Sequence, residues 1–446
     1  MAKEKLGLRA KLKKRKYRRP NPFLYFIYWF ACKFIILRKL KPEFYYEARV
    51  ADCKGPCFLI WNHLSRIDHA YLTVAAWPKR INIWAAWVEF FRSHLAVVFR
   101  LNQILPKKNF AQDIPGLKAC QQIINKGGCV AFAPEALSST YGTNQPIITG
   151  TGHFLKHYNI PVYFAEMRGE YLMNTKVCLD QRIGRTQVTM KLLFTPEDLQ
   201  RMSDEEVDAK INEVFRNDDY EWGRENNVEW ETFGRICERL DDICYKCPKC
   251  GAELQMTAEK NYIRCKSCGN GATMDDYYEF HPFTEDCVIP EFPSKWVEWE
   301  RMMVIHEIRE NPDYSFSLEN LEFGMVPDDH YMKDQKCSEP CGRGTLTLDH
   351  KGIHFKGTKN GEPFSIEASY SQIYTLTIEV ATDKFAFYHN GEYYEFYPVE
   401  HATGKVLLVM EEMHRYHFNT WKNFPWNDWM YEGEERLAPD APGYGK

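Results

Sequence analysis

The sequence lacks the features that mark secreted and membrane-spanning proteins. The apolar stretch at residues 23–37 is shorter than the about 20 residues that a transmembrane helix needs. No signal peptide with a cleavable small-residue site precedes the 15 cysteines, and these are scattered rather than spaced as in small disulfide-bonded domains. We therefore expect reduced cysteines and a protein that faces the cytoplasm.

The chain also has little net charge, since 57 basic and 61 acidic residues give −4. Its 446 residues, 44% of them hydrophobic, exceed one average domain and can form two or three packed cores. The basic residues are unevenly placed. Against the single Glu4, residues 3 to 19 contain Lys3, Lys5, Arg9, Lys11, Lys13, Lys14, Arg15, Lys16, Arg18 and Arg19. We therefore expect several domains behind a cationic N-terminal segment.

This cationic run leads into the apolar stretch 23–37, which Arg38, Lys39 and Lys41 follow. Aromatic residues with flanking cations are typical of a helix in the headgroup region, where each basic residue contributes roughly 1 kcal/mol near anionic lipid. We interpret residues 1–45 as a membrane-associating segment. Two alternatives stay open: a buried core helix behind a disordered basic tail, and a tail that binds nucleic acid.

A candidate catalytic pair, His63 and Asp68, lies in the segment Trp61-Asn62-His63-Leu64-Ser65-Arg66-Ile67-Asp68. On a continuous helix, residues five apart point about 140° away from each other, so the two side chains could not meet there. Residues 58–61 predict a buried strand and residues 70–76 a helix, which leaves a turn between them. Such a turn lets the carboxylate hold one imidazole nitrogen while the other faces a substrate hydroxyl. A histidine with a purely structural role is the competing interpretation.

This segment resembles the first motif of the glycerol-phosphate and lysophosphatidate acyltransferase family, in which the histidine is the general base. Three further family motifs have counterparts in the same order. The second, a glycine, an apolar run and an arginine, has a degenerate match at residues 102–108. The third, Phe-Pro-Glu-Gly-Thr-Arg, corresponds to a run that keeps Pro134 and Glu135 but has Ala136 and Ser138 in place of the glycine and the arginine. The fourth, an apolar residue before a proline and a strand, corresponds to Ile160-Pro161.

The resemblance covers roughly residues 55–170 and implies an α/β acyltransferase domain, which we place at residues 46–245. Strands that alternate with helices over residues 55–195 agree with that fold class. The implied roles are a general base at His63 and an orienting carboxylate at Asp68. The implied substrate-binding residues are Asn62, Pro134, Glu135 and Pro161, with Lys107 or Lys108 replacing the usual phosphate-binding arginine. Because Ser138 removes a second cation, either Arg100 or Arg168 compensates or the acceptor carries less charge.

A metal site is predicted at Cys247, Cys250, Cys265 and Cys268. Two Cys-x-x-Cys knuckles, each followed by glycine, resemble a zinc ribbon, which we place at residues 246–272. A closed four-thiolate site leaves no position for water or substrate, so we expect Zn²⁺ to be structural. The knuckle region has no pronounced basic excess, and a nucleic-acid role is therefore not expected.

The C-terminal part of the chain predicts a mostly β domain. We expect a helical or linker segment at residues 273–330, a β domain at 331–420 and a tail at 421–446. Short strands paired as hairpins, including one around Asn390-Gly391, followed by one helix resemble the pleckstrin-homology (PH)-like fold, a small sandwich or barrel with a capping helix. The alternatives for this domain are lipid binding and a scaffold role.

Together these features predict a membrane-associated acyltransferase of phospholipid biosynthesis. It would move an acyl group from acyl-CoA or acyl carrier protein to a lysophospholipid or related glycerolipid, with lysophosphatidate as one candidate. Membrane lipids are the expected partners, along with a protein partner for the zinc ribbon or the PH-like domain. The rival hypothesis is a catalytically silent, lipid-binding adaptor with an acyltransferase-like domain.

Overall fold

The computed structural model describes residues 7–333, 338–373 and 375–418. The N-terminal α/β region has seven strands: β1 (Glu43–Tyr46), β2 (Cys57–Trp61), β3 (Ile81–Ala86), β4 (Leu105–Lys107), β5 (Cys129–Phe132), β6 (Val162–Arg168) and β7 (Gln187–Phe194). Its helices are α1 (Leu8–Lys14), α2 (Pro22–Ala31), α3 (Asp68–Ala76), α4 (Ser93–Leu101), α5 (Ile114–Ile124), α6 (Thr151–Tyr158), α7 (Glu170–Met173), α8 (Pro196–Arg201), α9 (Asp204–Phe215) and α10 (Asp219–Glu225).

The seven strands form one sheet in the order β1-β7-β6-β2-β5-β3-β4. Strands β2 to β6 run parallel to one another, and β7 reverses direction against β6. All five residues of β2 are buried, as expected of a central strand covered on both faces. The carboxyl ends of β2, β4, β5 and β6 therefore lie at one edge of the sheet, which is where α/β proteins place their functional groups.

Several helix starts follow the capping rules. Asn21 accepts hydrogen bonds from the first amides of α2, and Pro22 occupies its first turn. Thr195 with Asp198 and Ser203 with Glu206 form reciprocal capping boxes at the starts of α8 and α9. The sequence predicts both of these helix starts because the cap is a local interaction.

A small four-stranded sheet follows, made of β8 (Met256–Glu259), β9 (Tyr262–Cys265), β10 (Gly271–Met274) and β11 (Phe280–Pro282). The strands are ordered β11-β10-β9-β8 and are antiparallel. The sheet thus continues past residue 272, because β11 pairs with β10. Tyr278 donates a hydrogen bond to the Leu172 carbonyl at 2.8 Å, which joins this unit to α7 of the α/β region.

The C-terminal region is mostly β, as predicted. It contains α11 (Pro293–Glu310), β12 (Ser315–Met325), β13 (Glu339–Asp349), β14 (Gly352–Lys359), β15 (Glu362–Ala368), β16 (Thr377–Glu379), β17 (Lys384–His389), β18 (Glu392–Tyr397) and α12 (Thr403–His417). The antiparallel order is β15-β14-β13-β12-β18-β17-β16. At the β17–β18 turn, Asn390 and Gly391 have φ values of 50° and 81°, the left-handed geometry of a tight hairpin.

The structure differs from the sequence analysis at β12. This strand lies within residues 273–330, expected to be helix and linker, yet it pairs with both β13 and β18. The sheet therefore begins before residue 331, because β12 joins its two halves. The tail at 421–446 lies outside the described residues.

Helices α11 and α12 join the β region to the α/β region through a buried ion-pair network. The Arg301 guanidinium lies 2.8 Å from Glu411 and 2.6 Å from Glu412, and it also donates to the Tyr141 hydroxyl at 2.9 Å. All three charged side chains are almost completely buried. Since Tyr141 follows the third motif, this network couples the C-terminal helices to the loop beside the candidate site.

The N-terminal segment packs against the rest of the chain over its described residues, which begin at residue 7. Leu8 and Tyr17 are buried, and the Arg9 guanidinium lies 2.9 Å from Asp328 and 2.8 Å from Glu392. Residues 7–19 therefore do not form a disordered tail, because they pack between the α/β region and the β region. Among the residues that the structure describes, no helix combines the length and the apolar character needed to cross a membrane.

Candidate functional site

The candidate site lies at the edge where the parallel strands end. His63 follows β2, Glu135 follows β5, Lys107 ends β4 and Arg168 ends β6. The first and third motifs are also joined directly, because Ser139 donates its backbone N–H to the His63 carbonyl at 2.6 Å. Strand pairing thus brings together residues more than 70 positions apart in the chain.

His63 and Asp68 contact each other through a short hydrogen bond. His63 Nδ1 lies 2.6 Å from Asp68 Oδ2. The Asp68 carboxylate is buried and also accepts from Trp61 Nε1 at 3.0 Å, Ser65 N at 2.9 Å and Ser65 Oγ at 2.7 Å. These donors hold the carboxylate in one orientation, so the carboxylate in turn fixes the imidazole ring.

The other imidazole nitrogen, Nε2, is available for chemistry. The His63 side chain is 27% exposed, and no described residue hydrogen-bonds to Nε2. With Asp68 ionised, Nδ1 carries the ring hydrogen and Nε2 keeps its lone pair. The pair therefore has the arrangement required of a general base.

Glu135 supports the loop that carries His63. It is fully buried and accepts the His63 backbone N–H at 2.6 Å and the Gln145 backbone N–H at 2.8 Å. Burial raises the pKa of Glu135 to about 8, an effect that these two hydrogen bonds oppose. Its position beside His63 makes it a positioning residue for the loop.

Asn62 and Pro134 also make backbone contacts. The Asn62 amide donates to the Met167 carbonyl and accepts the Met167 N–H, both at 2.8 Å, which ties the end of β2 to β6. The Pro134 carbonyl accepts the Ile148 N–H at 2.9 Å. Both residues lie at the sheet edge that carries His63. Their hydrogen bonds connect parts of the chain to one another.

Pro161 is not brought to that edge. It precedes β6, and its carbonyl accepts the Phe58 N–H at 2.9 Å near the amino end of β2. His63 follows the carboxyl end of the same strand. Because β2 and β6 are parallel, Pro161 lies across the sheet from the imidazole, and its predicted role in substrate binding has no support from this placement.

The two lysines of the second motif have different surroundings. Lys107 Nζ is 4.0 Å from the Asp113 carboxylate, and burial lowers the pKa of Lys107. Lys108 Nζ donates to the Gly391 carbonyl at 3.0 Å and lies 5.2 Å from the ring centroids of both Trp87 and Tyr388. Lys108 therefore joins the end of β4 to the β17–β18 turn, whereas Lys107 stays beside Asp113 within the α/β region.

The two residues named to compensate for Ser138 also differ. Arg168 already pairs with Glu166 at 2.8 Å and donates to Asn217. Arg100 is exposed on α4. Arg168 is therefore already paired, and no hydrogen bond or ion pair joins Arg100 to His63 in the described part of the chain.

Only one of the two positions at which the resembled motifs have glycine shows a left-handed backbone. Ala136, at the glycine position of the third motif, has φ 59°, whereas Asn102, at that of the second, has φ −86° and the left-handed residue there is the next one, Gln103, with φ 54°. This left-handed region costs a residue with a side chain roughly 1–2 kcal/mol and is ordinarily taken by glycine. Ala136 and Gln103 thus adopt a backbone conformation that glycine takes more easily.

Two further cations at this edge, Arg66 and Lys176, were not predicted from the sequence motifs. Arg66 lies inside the first motif, and its Nε donates to Asn174 at 3.2 Å, just after α7. Lys176 follows at the same edge and contacts β16 through the Ile378 carbonyl at 3.1 Å. The sequence signal for Arg66 is its place in the first motif, three residues after His63. Lys176 lies in none of the motifs, so the sequence has no signal for it.

The four predicted metal ligands come together in the small sheet. The sulfurs of Cys247 and Cys268 are 3.7 Å apart, those of Cys250 and Cys265 are 3.8 Å apart, and all four lie within 4.8 Å of one another. Sulfurs about 2.3 Å from a tetrahedral zinc ion would lie about 3.8 Å apart. Gly251 and Gly269 have φ values of 73° and 77°, which turn each knuckle back on itself. This cluster can hold a metal ion such as zinc.

A second group of potential ligand atoms, on Asp242, Asp383 and His401, has a different character. The Arg239 guanidinium donates to Asp242 at 2.6 Å and also to Asp383. A cation already lies between the two carboxylates, so this group links the domains as an ion-pair network.

Comparisons with known proteins give a distant likeness to a solved structure. No protein-family model matches the chain, and no curated protein sequence does. The crystal structure of the 1-acyl-sn-glycerophosphate (LPA) acyltransferase PlsC from Thermotoga maritima is similar to part of the chain. The identity is 14%, the alignment covers 43% of this chain and 90% of that chain, and the TM-score is 0.33. With a likeness this distant, the function of the chain has to be inferred from the site itself.

Proposed function

We propose that this protein is an acyltransferase that moves an acyl group from a thioester donor to the hydroxyl of a lysophospholipid or related glycerolipid. The observation that carries the proposal is the His63–Asp68 contact at 2.6 Å, with Nε2 of the imidazole available at the carboxyl edge of the sheet. The resemblance of the surrounding residues to the first acyltransferase motif, and the retained Pro134 and Glu135, support this reaction class.

The proposed chemistry needs one base. His63 Nε2 removes the proton of the acceptor hydroxyl as that oxygen attacks the thioester carbonyl carbon. Asp68 holds the ring and stabilises its cationic form while the tetrahedral intermediate exists. Collapse of the intermediate breaks the C–S bond, and the proton on Nε2 passes to the departing thiolate. The products are an ester and a free thiol, and His63 returns to its neutral form.

The proposal is tested by an acyl-transfer assay with the purified chain. Labelled acyl-CoA and acyl-acyl carrier protein are offered with a panel of lysophospholipids and monoacylglycerol, and labelled ester is separated from free fatty acid. We expect ester that depends on both the acceptor and the protein. Thioester hydrolysis without an acceptor serves as the control. Vesicle binding without ester from any donor and acceptor pair would favour the lipid-binding adaptor.

Helix α2 and the π-helical turn after it support membrane association. One face packs inward, with Tyr25 and Cys32 buried, and the Tyr28 hydroxyl lies 2.7 Å from His69 Nδ1 on α3. The opposite face exposes the large apolar side chains Phe23, Phe26, Ile27, Phe30, Phe34 and Ile35. Lys33, Arg38 and Lys39 beside them are exposed. We infer that this face rests on anionic lipid, next to the helix that begins at Asp68.

Replacing the two most exposed residues of this face tests the membrane proposal. Phe23 and Ile35 are 69% and 70% exposed, so the Phe23→Ser, Ile35→Ser double variant should fold normally. Each apolar side chain contributes about 1.5–3 kcal/mol when fully buried, and we therefore expect binding to anionic vesicles to fall at least about tenfold. Flotation measures the bound fraction. Val399→Ser, at a residue that is also 70% exposed, is the matched control. Unchanged binding of the double variant would contradict the proposal.

The other regions support subsidiary proposals. We assign structural Zn²⁺ to the four cysteines, because their sulfur separations match a closed tetrahedral site. The antiparallel strands β12 to β18 followed by α12 support a PH-like assignment for the C-terminal region.

A further inference from the structure

A group of charged side chains lies where the His63 loop meets the C-terminal sheet. We call Arg66, Arg92, Lys176, Glu379 and Lys384 the seam cluster. Two hydrogen bonds join the segment of Lys176 to the segment of Glu379: the Ala381 N–H donates to the Lys176 carbonyl at 3.0 Å, and Lys176 Nζ donates to the Ile378 carbonyl at 3.1 Å. Burial alone would raise the pKa of Glu379, yet Lys384, Lys176, Arg92 and Arg66 together hold it below its usual value.

The positive charge in the seam cluster exceeds the negative charge around it. Lys384 pairs with Glu395 at 3.0 Å, and Arg92 pairs with Glu89 at 3.3 Å. Within the described parts of the chain, Arg66 and Lys176 form no ion pair with any carboxylate. Their hydrogen bonds go to the Asn174 side chain and a carbonyl. Arg66 and Lys176 therefore share Glu379 with Lys384, whose Nζ lies 3.9 Å from that carboxylate, and neither of the two is neutralised.

These surroundings disfavour the charged form of Lys176. Burial lowers the pKa of Lys176 to about 8, and Arg66 and Lys384 contribute in the same direction, while Glu379 opposes them. Arg66 is at the surface of the loop, and its two Nη groups donate to no other described side chain or carbonyl. A guanidinium with free donors beside a poorly compensated ammonium is the arrangement that binds phosphate.

The seam cluster also has the right position. Arg66 lies between His63 and Asp68, and Asn174, which it contacts, follows α7 just beyond the carboxyl end of β6. The seam cluster therefore lies at the same sheet edge as the imidazole. Because Ser138 stands where the third motif has a cation, a phosphate at this edge would have to bind another cation.

We infer that Arg66 and Lys176 bind a phosphate group of the substrate, so that the C-terminal sheet completes the substrate site of the α/β domain. This inference rests on the proposed function. The phosphate could come from two sources, the phosphomonoester of the acceptor or the phosphates of the donor. In both cases Glu379 competes with the phosphate for the same cations, and Lys384 increases the positive electrostatic potential around them.

Kinetics of Arg66→Gln identify the source. With 1-acylglycerol 3-phosphate as acceptor, we expect the KM of the acceptor to rise about 10- to 100-fold, since a charge-assisted hydrogen bond contributes about 1.5–3 kcal/mol. The KM of monoacylglycerol, which has no phosphate, should not change. If the phosphate belongs to the donor, the donor KM rises with both acceptors. Arg66→Lys should restore part of the loss.

Glu379→Gln provides a test of opposite sign. Removing the competing carboxylate should lower the KM of the phosphate-bearing substrate, whereas a purely structural role for the seam cluster predicts a loss of activity. Arg201→Gln is the matched control, because its side chain is 78% exposed and lies on α8. Equal KM values for wild type and Arg66→Gln with every substrate would overturn the inference.

A binding measurement separates this inference from the proposed function. Calorimetric titration with glycerol 3-phosphate requires no turnover, and we expect Arg66→Gln and Lys176→Gln each to weaken binding at least about tenfold. Binding that depends on Arg66 in a chain that forms no ester would overturn the proposed function and leave the phosphate subsite in place. The same affinity in wild type and both variants, with unchanged KM values, would overturn the subsite.

Discussion

Substitution of His63 by alanine is expected to lower the kcat of acyl transfer by about 10²- to 10⁴-fold, the usual contribution of a positioned general base. The imidazole combines an available nitrogen with an orienting carboxylate at the carboxyl edge of the sheet, through the 2.6 Å contact with Asp68. Without it, the acceptor hydroxyl must lose its proton to water. Because His63 is partly exposed and Glu135 binds its backbone rather than its ring, the fold should persist.

The measurement is single-turnover and steady-state transfer with wild type, His63→Ala and Asp68→Asn. An amide at position 68 would present an NH₂ group to donors that now face a carboxylate, so the ring should lose its orientation and kcat should fall as well. The double variant should lose little more than either single variant, because the two residues act as a unit. His153→Ala is the matched control, since that side chain is 77% exposed on α6. Full turnover in His63→Ala would refute the mechanism.

Loss of the metal is expected to have the largest effect on stability. Structural zinc contributes about 10–16 kcal/mol of apparent binding free energy in isolated zinc-finger peptides, and small sheets of this kind have little core of their own. Cys265 and Cys247 are fully buried, so a Cys265→Ser variant both loses a ligand and buries a hydroxyl. We expect one zinc ion per wild-type chain, less zinc in Cys265→Ser and a lower melting temperature.

The effect should extend beyond the small sheet. Tyr278 donates to Leu172 in α7 at 2.8 Å, and Trp296 of α11 donates to the Lys246 carbonyl at 2.9 Å. Unfolding of the metal unit would therefore loosen both neighbouring regions, and transfer activity should fall without any role of the metal in catalysis. Elemental analysis and thermal unfolding measure the two effects. Cys287→Ser, at a thiol outside the cluster, is the control. A zinc-free chain with unchanged stability would contradict the prediction.

Local patterns predicted the parts of the fold whose interactions are local. The capping boxes at Thr195 and Ser203, the Asn390-Gly391 turn and the Cys-x-x-Cys knuckles each depend on residues within a few positions of one another. The turn between His63 and Asp68 is of the same kind. Such interactions depend little on what packs against them from elsewhere in the chain, so they can be inferred from spacing alone.

Long-range pairing decided the rest. The sequence predicted a helix and linker where β12 lies, and the place of β12 between β13 and β18 depends on its pairing with β18, which is far along the chain. Lys108 binds the β17–β18 turn because the C-terminal β region packs against the end of β4. Pro161 lies at the far edge because β6 runs parallel to β2, and sequence order does not specify strand direction.

The sequence by itself therefore determined the chemical groups: an imidazole with its carboxylate, four thiolates in two knuckles, and a cationic, aromatic N-terminal segment. Only the tertiary structure decided which of these groups lie at the same edge of the sheet. It also brought Arg66 and Lys176 of the α/β region close enough to Glu379 of the β region to interact electrostatically with it. The physical reason is that spacing limits what neighbouring side chains can reach. Burial and charge balance instead depend on whatever packs against them from elsewhere in the chain.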